Sequence, residues 1–252
     1  MADEVDTRVS LTFDPSVVAG VEDYDEDTRP LLGQTETAIS GVYEALRSIH
    51  NAKEGASKNP TLNEYAQLIS VSDFANKRME KVLPQWDRAR DTLDNNITRF
   101  ERELRAPVEQ RETGTMASEI RTYFRSMEKE SQRLMAVRQA IREGDETTVM
   151  AVLGGKHYLS GIDAETSALF LQEWHERSQP VKAKQLRVMK QVRQMIHERE
   201  PLLRKSIQDA IGYIDIFQPS KDGKRQILVK RITPAEVREQ VRSANKAFAV
   251  PV

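Results

Sequence analysis

Apolar residues recur at steps of three and four between positions 79 and 104, and this spacing is the feature that most restricts the fold. The positions are Met79, Val82, Trp86, Ala89, Leu93, Ile97, Phe100 and Leu104. Such steps place side chains on one face of an α-helix, and a near-heptad repeat is typical of helices that pack lengthwise. The residues between them are mainly charged or polar. The segment therefore predicts a long helix with one narrow apolar seam.

Helical spacing also appears in other stretches of the chain. A first helix is predicted from Pro30, with Leu32, Ile39, Val42, Leu46 and Ile49 on one face. Another is predicted from Pro180, with Val188, Val192, Met195, Leu202, Ile207, Ala210, Ile214 and Phe217 on its stripe. One more is predicted from Gly114 to Gly144. Asp145 and Asp163 precede two shorter helical patterns, and both are residue types that cap helix N-termini.

Breaker residues divide these helices. We predict a loop from Asn51 to Pro60, after which Asn59 caps the second helix with Pro60 at its first position. Pro84 and Pro201 are expected to kink or split their helices, because proline removes a backbone hydrogen bond and clashes with the preceding turn. Pro107 is expected to end the second helix.

Two short strands are predicted near the ends of the chain. Residues 9–13 alternate apolar and polar side chains, and residues 226–230 are rich in β-branched and aliphatic types. These two strands could pair in a small sheet. A turn is predicted at 218–224, before the second strand, and Thr233-Pro234 begins a terminal helix after that strand. The fold class expected is mainly α: a long-helix bundle with coiled-coil-like packing and one or two short strands near the termini.

Charge is distributed unevenly along the chain. Residues 1–29 contain nine acidic and two basic residues, a net charge of −7. Residues 177–252 contain seventeen basic and seven acidic residues, a net charge of +10. We divide the sequence into an acidic N-terminal arm (1–29), a helical bundle (30–217) and a C-terminal strand with a short helix (218–252). Either one end meets a partner of opposite charge, or the two ends meet each other within a chain or between subunits.

Candidate partner-contact residues follow from this asymmetry. They are Glu22, Asp23, Tyr24 and Asp25 in the acidic arm and Lys182, Lys184, Arg187, Lys190 and Arg193 in the basic segment. The basic segment could also follow the phosphates of a nucleic acid. Against this, Glu198 and Glu200 interrupt the segment, and no aromatic residue between Trp174 and Tyr213 is available to stack on bases.

The sequence contains no motif for catalysis, for metal binding or for a cofactor. It has no cysteine, which excludes disulfides, thiolate chemistry and cysteine-ligated metals. No carboxylate lies three residues before any of the four histidines, as a helical di-metal site requires. Gly154-Gly155-Lys156 lacks the remainder of a phosphate loop and fits a helix end. We predict a protein without enzymatic activity, catalytic residues, metal or cofactor.

No run of apolar residues approaches the ~18 that a membrane span needs. The first residues, 1–6, are acidic and lack the basic-then-apolar order of a signal peptide. We therefore expect a soluble protein, made in the cytoplasm, with no membrane contact.

One short segment resembles a known class of proteins. Residues 145–162, which read DETTVMAVLGGKHYLSGI, resemble a helix–turn element of small helical proteins encoded by tailed bacteriophages. The resemblance implies a multicopy virion or assembly subunit without a cofactor. The function expected is that of a structural or assembly protein, an accessory component of the head or neck, which contacts copies of itself and other virion proteins through its helices. After synthesis in the cytoplasm it would join the virion. The alternative is a nucleic-acid-associated protein that uses the basic C-terminal third.

Overall fold

The computed structural model describes residues 6–110, 114–219 and 226–246, except the side chains of Gln110 and Pro219. Over these residues the fold is mainly α, as predicted, with eight helices and one two-stranded antiparallel sheet. The helices are α1 (Arg29–Ser57), α2 (Glu64–Gln110), α3 (Thr115–Ser126), α4 (Glu130–Glu143), α5 (Glu146–Leu153), α6 (Ala164–Ser178), α7 (Pro180–Ile211) and α8 (Pro234–Lys246). The strands are β1 (Ile214–Pro219) and β2 (Gln226–Ile232).

The chain forms two compact units. The first unit contains residues Met1–Ala19, Gln34–Arg90 and Met195–Val252, and the second contains Gly20–Gly33 and Asp91–Gln194. The division falls within α1, α2 and α7, so each of these helices contributes residues to both units.

The predicted seam of α2 is confirmed. Met79, Trp86 and Ala89 are buried in the first unit, and Leu93, Ile97, Phe100 and Leu104 are buried in the second. Val82 is half-buried. Burial of a large apolar side chain stabilises a fold by roughly 1.5–3 kcal/mol. The seam therefore accounts for a large part of the core in each unit.

The predicted strand at residues 9–13 is wrong. Residues Leu11–Phe13 form a 3₁₀ turn, in which the Ser10 hydroxyl accepts a hydrogen bond from the backbone N–H of Thr12. Phe13 is fully buried, and its ring meets the edge of Trp86 at a centroid distance of 6.5 Å. The Ser10 hydrogen bond thus favours a turn over an extended strand, and the turn still buries the Phe13 ring.

The strand at residues 226–230 is confirmed, but its partner differs from the prediction. β2 pairs with β1, from Ile214 opposite Ile232 to Pro219 opposite Gln226, with an irregularity between Ile216 and Phe217. Residues 212–217 were predicted to continue α7, which instead ends at Ile211. Gly212 has a φ of 87°, the left-handed conformation that commonly terminates a helix. The predicted turn at 218–224 lies largely outside the described residues.

Proline does not divide the long helices. Pro84 and Pro107 lie within α2, and Pro201 lies within α7. Of the two outcomes predicted at Pro84 and Pro201, a kink or a split, the split is therefore wrong, and so is the predicted helix end at Pro107. Tertiary packing of the apolar seam on either side of a proline can offset the lost backbone hydrogen bond.

The ends of α1 and α2 also differ from the prediction. α1 continues past Gly55, where a loop was expected. Asn63 caps α2, since its side-chain oxygen accepts a hydrogen bond from the N–H of Ala66 at 2.8 Å. Asn59 instead accepts from the N–H of Thr61 in a preceding turn. Both asparagines fit the capping pattern, and the apolar face begins closer to Asn63.

The predicted helix from Gly114 to Gly144 is two helices. The helix is interrupted at residues 127–129, between α3 and α4, where Met127 and Lys129 have extended backbone angles. The cap residues predicted for α5, α6 and α8 are confirmed. Asp145 accepts from the N–H of Thr148, Asp163 accepts from that of Thr166, and Thr233 shares reciprocal bonds with Glu236.

The apolar stripe of α7 is shifted by one residue in its second half. Leu202, which was predicted to face the core, is 45% exposed, whereas Leu203 is 2% exposed. Val188 and Val192 are buried as predicted, and Ile196 continues the face in place of Met195. Met195–Leu202 and Ile196–Leu203 are both seven residues apart, so spacing alone did not distinguish the two stripes.

Two neighbouring residues on α6 allow a test of the core of the second unit. Phe170 is 1% exposed and packs in the cluster that α3 to α6 share, whereas Leu169 is 61% exposed. We expect Phe170→Ala to lower the free energy of unfolding by about 3–5 kcal/mol, and Leu169→Ala to change it by less than about 0.5 kcal/mol. Urea unfolding followed by circular dichroism measures both, and equal effects would contradict the assigned burial.

Candidate functional site

The acidic segment at residues 20–28 is folded around one buried hydroxyl. Thr28 Oγ1 donates to the backbone carbonyl of Asp23 at 3.0 Å and accepts from the N–H of Asp25 at 2.9 Å. Asp23 has a φ of 64°, a left-handed conformation that aspartate tolerates better than most residues. These bonds orient the carboxylates of the segment, which is part of the second unit.

Those carboxylates meet α7 in the same unit. The Nζ of Lys184 lies 2.6 Å from Asp25 Oδ2 and 2.8 Å from Asp27 Oδ2. Arg187 donates from Nε and Nη2 to Asp23 Oδ2, at 2.8 and 2.6 Å. Gln185 adds a hydrogen bond to the backbone carbonyl of Asp27. The acidic segment therefore contacts α7 through a small network of ion pairs and hydrogen bonds.

A second row of ion pairs joins α7 to α2. Lys182 lies 2.9 Å from Glu103, Lys190 lies 2.6 Å from Glu101, and Arg193 lies 2.6 Å from Asp94. As the position along α7 increases, the position along α2 decreases. The two helices therefore run antiparallel within the second unit.

The pKa values of the paired groups reflect these contacts. The Lys184 ammonium holds the pKa of Asp25 below its ordinary value, and Asp25 and Asp27 raise the pKa of Lys184. The hydrogen bond from Lys182 lowers the pKa of Glu103. Asp23 is the main cause of the raised pKa of Arg187. Each shift favours the charged form, as expected for opposite charges in contact.

The structure brings seven of the nine candidate contact residues into ion pairs within the second unit. Of the acidic candidates, Asp23 and Asp25 pair with Arg187 and Lys184, while Glu22 is exposed and Tyr24 is half-buried. The basic candidates all contact carboxylates of the same chain. Whether any of these residues also contacts a partner stays a prediction.

Sequence reasoning missed the acidic partners on α2 and the role of Thr28. Asp94 and Glu101 lie seven residues apart and so share a helical face, which was a usable signal. From the sequence alone they are only charged residues beside the α2 seam. Thr28 gave no signal, since a single threonine in an acidic stretch does not reveal which backbone groups it will bond.

A second surface lies on the first unit, on the β-ribbon formed by β1 and β2. Its described apolar side chains beyond the first pair are all exposed: Ile216, Phe217, Ile227, Leu228 and Val229. Phe217 and Leu228 are cross-strand partners and so lie on one face, 51% and 44% exposed. An isolated two-stranded sheet is marginally stable in water, and exposed strand edges readily pair with another chain.

The base of this β-ribbon is anchored. Ile214 and Ile232 are opposite each other and pack against Leu68 on α2 and Val237 on α8. Arg231 donates to Asp215 at 2.8 Å and lies over the ring of Tyr213. The ribbon is thus held firmly at one end, while its remaining described apolar side chains are uncovered.

The histidines do not form a site in the described parts of the chain. Burial lowers the pKa of His50 and His175. Among the described residues, no three His, Asp or Glu side chains are grouped so that they could hold a metal ion. The helices in those same ranges include none that combines the length and the apolar character needed to cross a membrane.

Comparison with protein-family models, with curated proteins and with solved structures finds no match to this chain.

The contact between Lys184 and the acidic segment predicts a pH dependence. The contact with Lys184 that lowers the pKa of Asp25 stabilises the fold at pH values above the ordinary carboxyl pKa, about 4. That stabilisation is lost as the pH falls through the lowered pKa. We expect the free energy of unfolding to fall more steeply below about pH 4 in the wild type than in Lys184→Gln. Urea unfolding at a series of pH values measures this difference.

Lys205→Gln is the matched control, since Lys205 is exposed on the same helix. Its curve is expected to follow the wild type. A Lys184→Gln curve parallel to the wild type at acid pH would mean that the ion pair makes no net contribution.

Proposed function

We propose that this chain is a non-enzymatic assembly protein that acts through protein–protein contacts. The observation that carries the proposal is the exposed apolar β-ribbon of the first unit. Exposed apolar patches and free strand edges are costly in a soluble monomer, and they commonly mark an interaction surface. A second copy of the chain is the partner we assign to the ribbon.

The charge pairing of the second unit favours this role over binding of nucleic acid. A phosphate backbone is held by cations that are free to release their counterions. Lys182, Lys184, Arg187, Lys190 and Arg193 already face carboxylates at 2.9 Å or less. Contact with phosphates would require those ion pairs to break, so the nucleic-acid alternative has less support.

The resemblance of residues 145–162 extends the proposal to a tailed-bacteriophage virion. This segment contains α5 and a 3₁₀ turn at His157–Ser160, which matches a helix–turn element. The Ser160 hydroxyl donates to the carbonyl of Val152, and Val149 to Leu153 are buried in the second unit. A rigid helix–turn element suits a repeated subunit, and we assign the protein to an accessory position in the head or neck.

The β-ribbon can be tested by the double substitution Phe217→Ser and Leu228→Ser. Both side chains are about half exposed, so the fold should survive while the apolar face is lost. We expect the wild type to self-associate with increasing concentration and the variant to need at least ten times the concentration for the same association. Sedimentation velocity measures the distribution of species.

The control is Met116→Ser with Met135→Ser, which removes two side chains of the second unit that are each 64% exposed. It is expected to associate like the wild type. A wild type that stays monomeric at all concentrations, or a β-ribbon variant that associates as strongly, would contradict the proposal.

A further inference from the structure

A groove of about 910 Å³ lies within the second unit, between α2, α6 and α7. Each helix contributes one continuous face to it. The α6 face extends from Glu165 to Glu176, which is about 16 Å at 1.5 Å per residue. The groove therefore extends along α6 for about three helical turns.

The lining of the groove is apolar along its floor. Leu104, Leu171 and Ala183 are buried there, Leu186 is half-buried, and Leu169 is exposed at the rim. These side chains come from three helices, so together they form a strip and not a single point of contact. An amphipathic helix presents a complementary strip, with apolar residues at steps of three and four.

The charged residues of the lining are only partly paired. Lys190 binds Glu101, and Arg187 binds Glu176, so these four are neutralised within the unit. Arg102 has no ion-pair partner among the described residues. Arg105 has only Glu109, at 3.7 Å and on the same helix. Arg102 and Arg105 are exposed and three residues apart, which places two available cations along the α2 rim.

His175 adds a polar group to the lining. Its Nε2 atom is buried and has no hydrogen-bond partner within the described residues. Burial lowers the pKa of its imidazole, against the opposing effect of a hydrogen bond with the backbone of Leu104. Because that atom is closed to solvent, we assign His175 no contact with the occupant.

We propose that the groove binds an amphipathic α-helix of a partner protein, whose apolar stripe covers the floor and whose acidic flank faces Arg102 and Arg105. Charge complementarity selects an acidic flank on the α2 side, because that rim offers two cations and the other basic residues of the lining are already paired. The exposed Glu165, which has no ion-pair partner among the described residues, lies on α6 and not on this rim. The inference rests on the interaction role proposed above. It uses a different surface from the β-ribbon, so each can fail alone.

The test uses the full chain and a synthetic, fluorescein-labelled peptide of 18 residues as the probe. The peptide carries leucines at helical spacing with glutamates on both sides, and a second peptide has lysines in place of the glutamates. Fluorescence anisotropy measures both affinities. We expect the wild type to bind the glutamate peptide at least tenfold more tightly than the lysine peptide. Equal affinities, or no binding of either peptide, would overturn the proposal.

Charge reversal on the α2 rim tests whether Arg102 and Arg105 recognise the acidic flank of the peptide. We expect the double variant Arg102→Glu and Arg105→Glu to lose at least tenfold in affinity for the glutamate peptide and to prefer the lysine peptide. Arg88→Glu is the matched control, because Arg88 is exposed on α2 but lies outside the groove. The proposal fails if Arg88→Glu weakens binding as much as the double variant.

The apolar part of the rim is tested by Leu169→Glu, which is expected to abolish binding of the glutamate peptide. Leu169 is largely exposed, so the change should not unfold the protein, and circular dichroism checks this. Binding of dodecanoate in place of the peptide would overturn the proposal in favour of a fatty-acyl ligand. Self-association that Leu169→Glu disrupts, without peptide binding, would mean that a second copy occupies the groove. Loss of self-association in the β-ribbon variant alone concerns the proposed function and leaves this test unaffected.

Discussion

The apolar seam of α2 is the constraint on which both units depend. Only 38% of the residues are hydrophobic, and 31% are charged, so the chain cannot build a thick core. It buries narrow helical stripes instead, and one helix supplies such a stripe to each unit. Helices within a folded protein gain most of their stability from tertiary packing and not from intrinsic propensity. Trp86 in the first unit and Phe100 in the second are the largest side chains that the seam buries.

A narrow seam leaves most of each helix surface charged, and the second unit uses these charges internally. Individual exposed ion pairs stabilise a protein by only about 0–1 kcal/mol each, so their larger consequence is for recognition. The α7 cations from Lys182 to Arg193 are largely neutralised by carboxylates of the acidic segment and of α2. The surfaces for which we propose partners are the exposed apolar β-ribbon of the first unit and the groove of the second, with its apolar floor and the exposed Arg102 and Arg105.

The sequence predicted the parts of the fold that depend on local chemistry. The α2 seam, the Asp145 and Asp163 caps and the mainly α class follow from spacing and capping rules that act over a few residues. It failed where two local solutions were equally good: Leu202 or Leu203 on α7, or a strand or a turn at Leu11. Tertiary packing decides such cases. For the candidate site, the sequence identified the basic side of the ion pairs but not their carboxylate partners on α2, because pairing between residues about 80 to 100 positions apart depends on how the helices pack.

The most direct test of the account is the mass of the purified full chain, measured by light scattering during size-exclusion chromatography at low and high salt, with and without duplex DNA. Association through the apolar β-ribbon predicts an oligomer whose mass persists at high salt and is unchanged by DNA, since apolar contacts are not screened. A monomer that shifts only when DNA is added at low salt would contradict the account, because the α7 cations would then be available to phosphates.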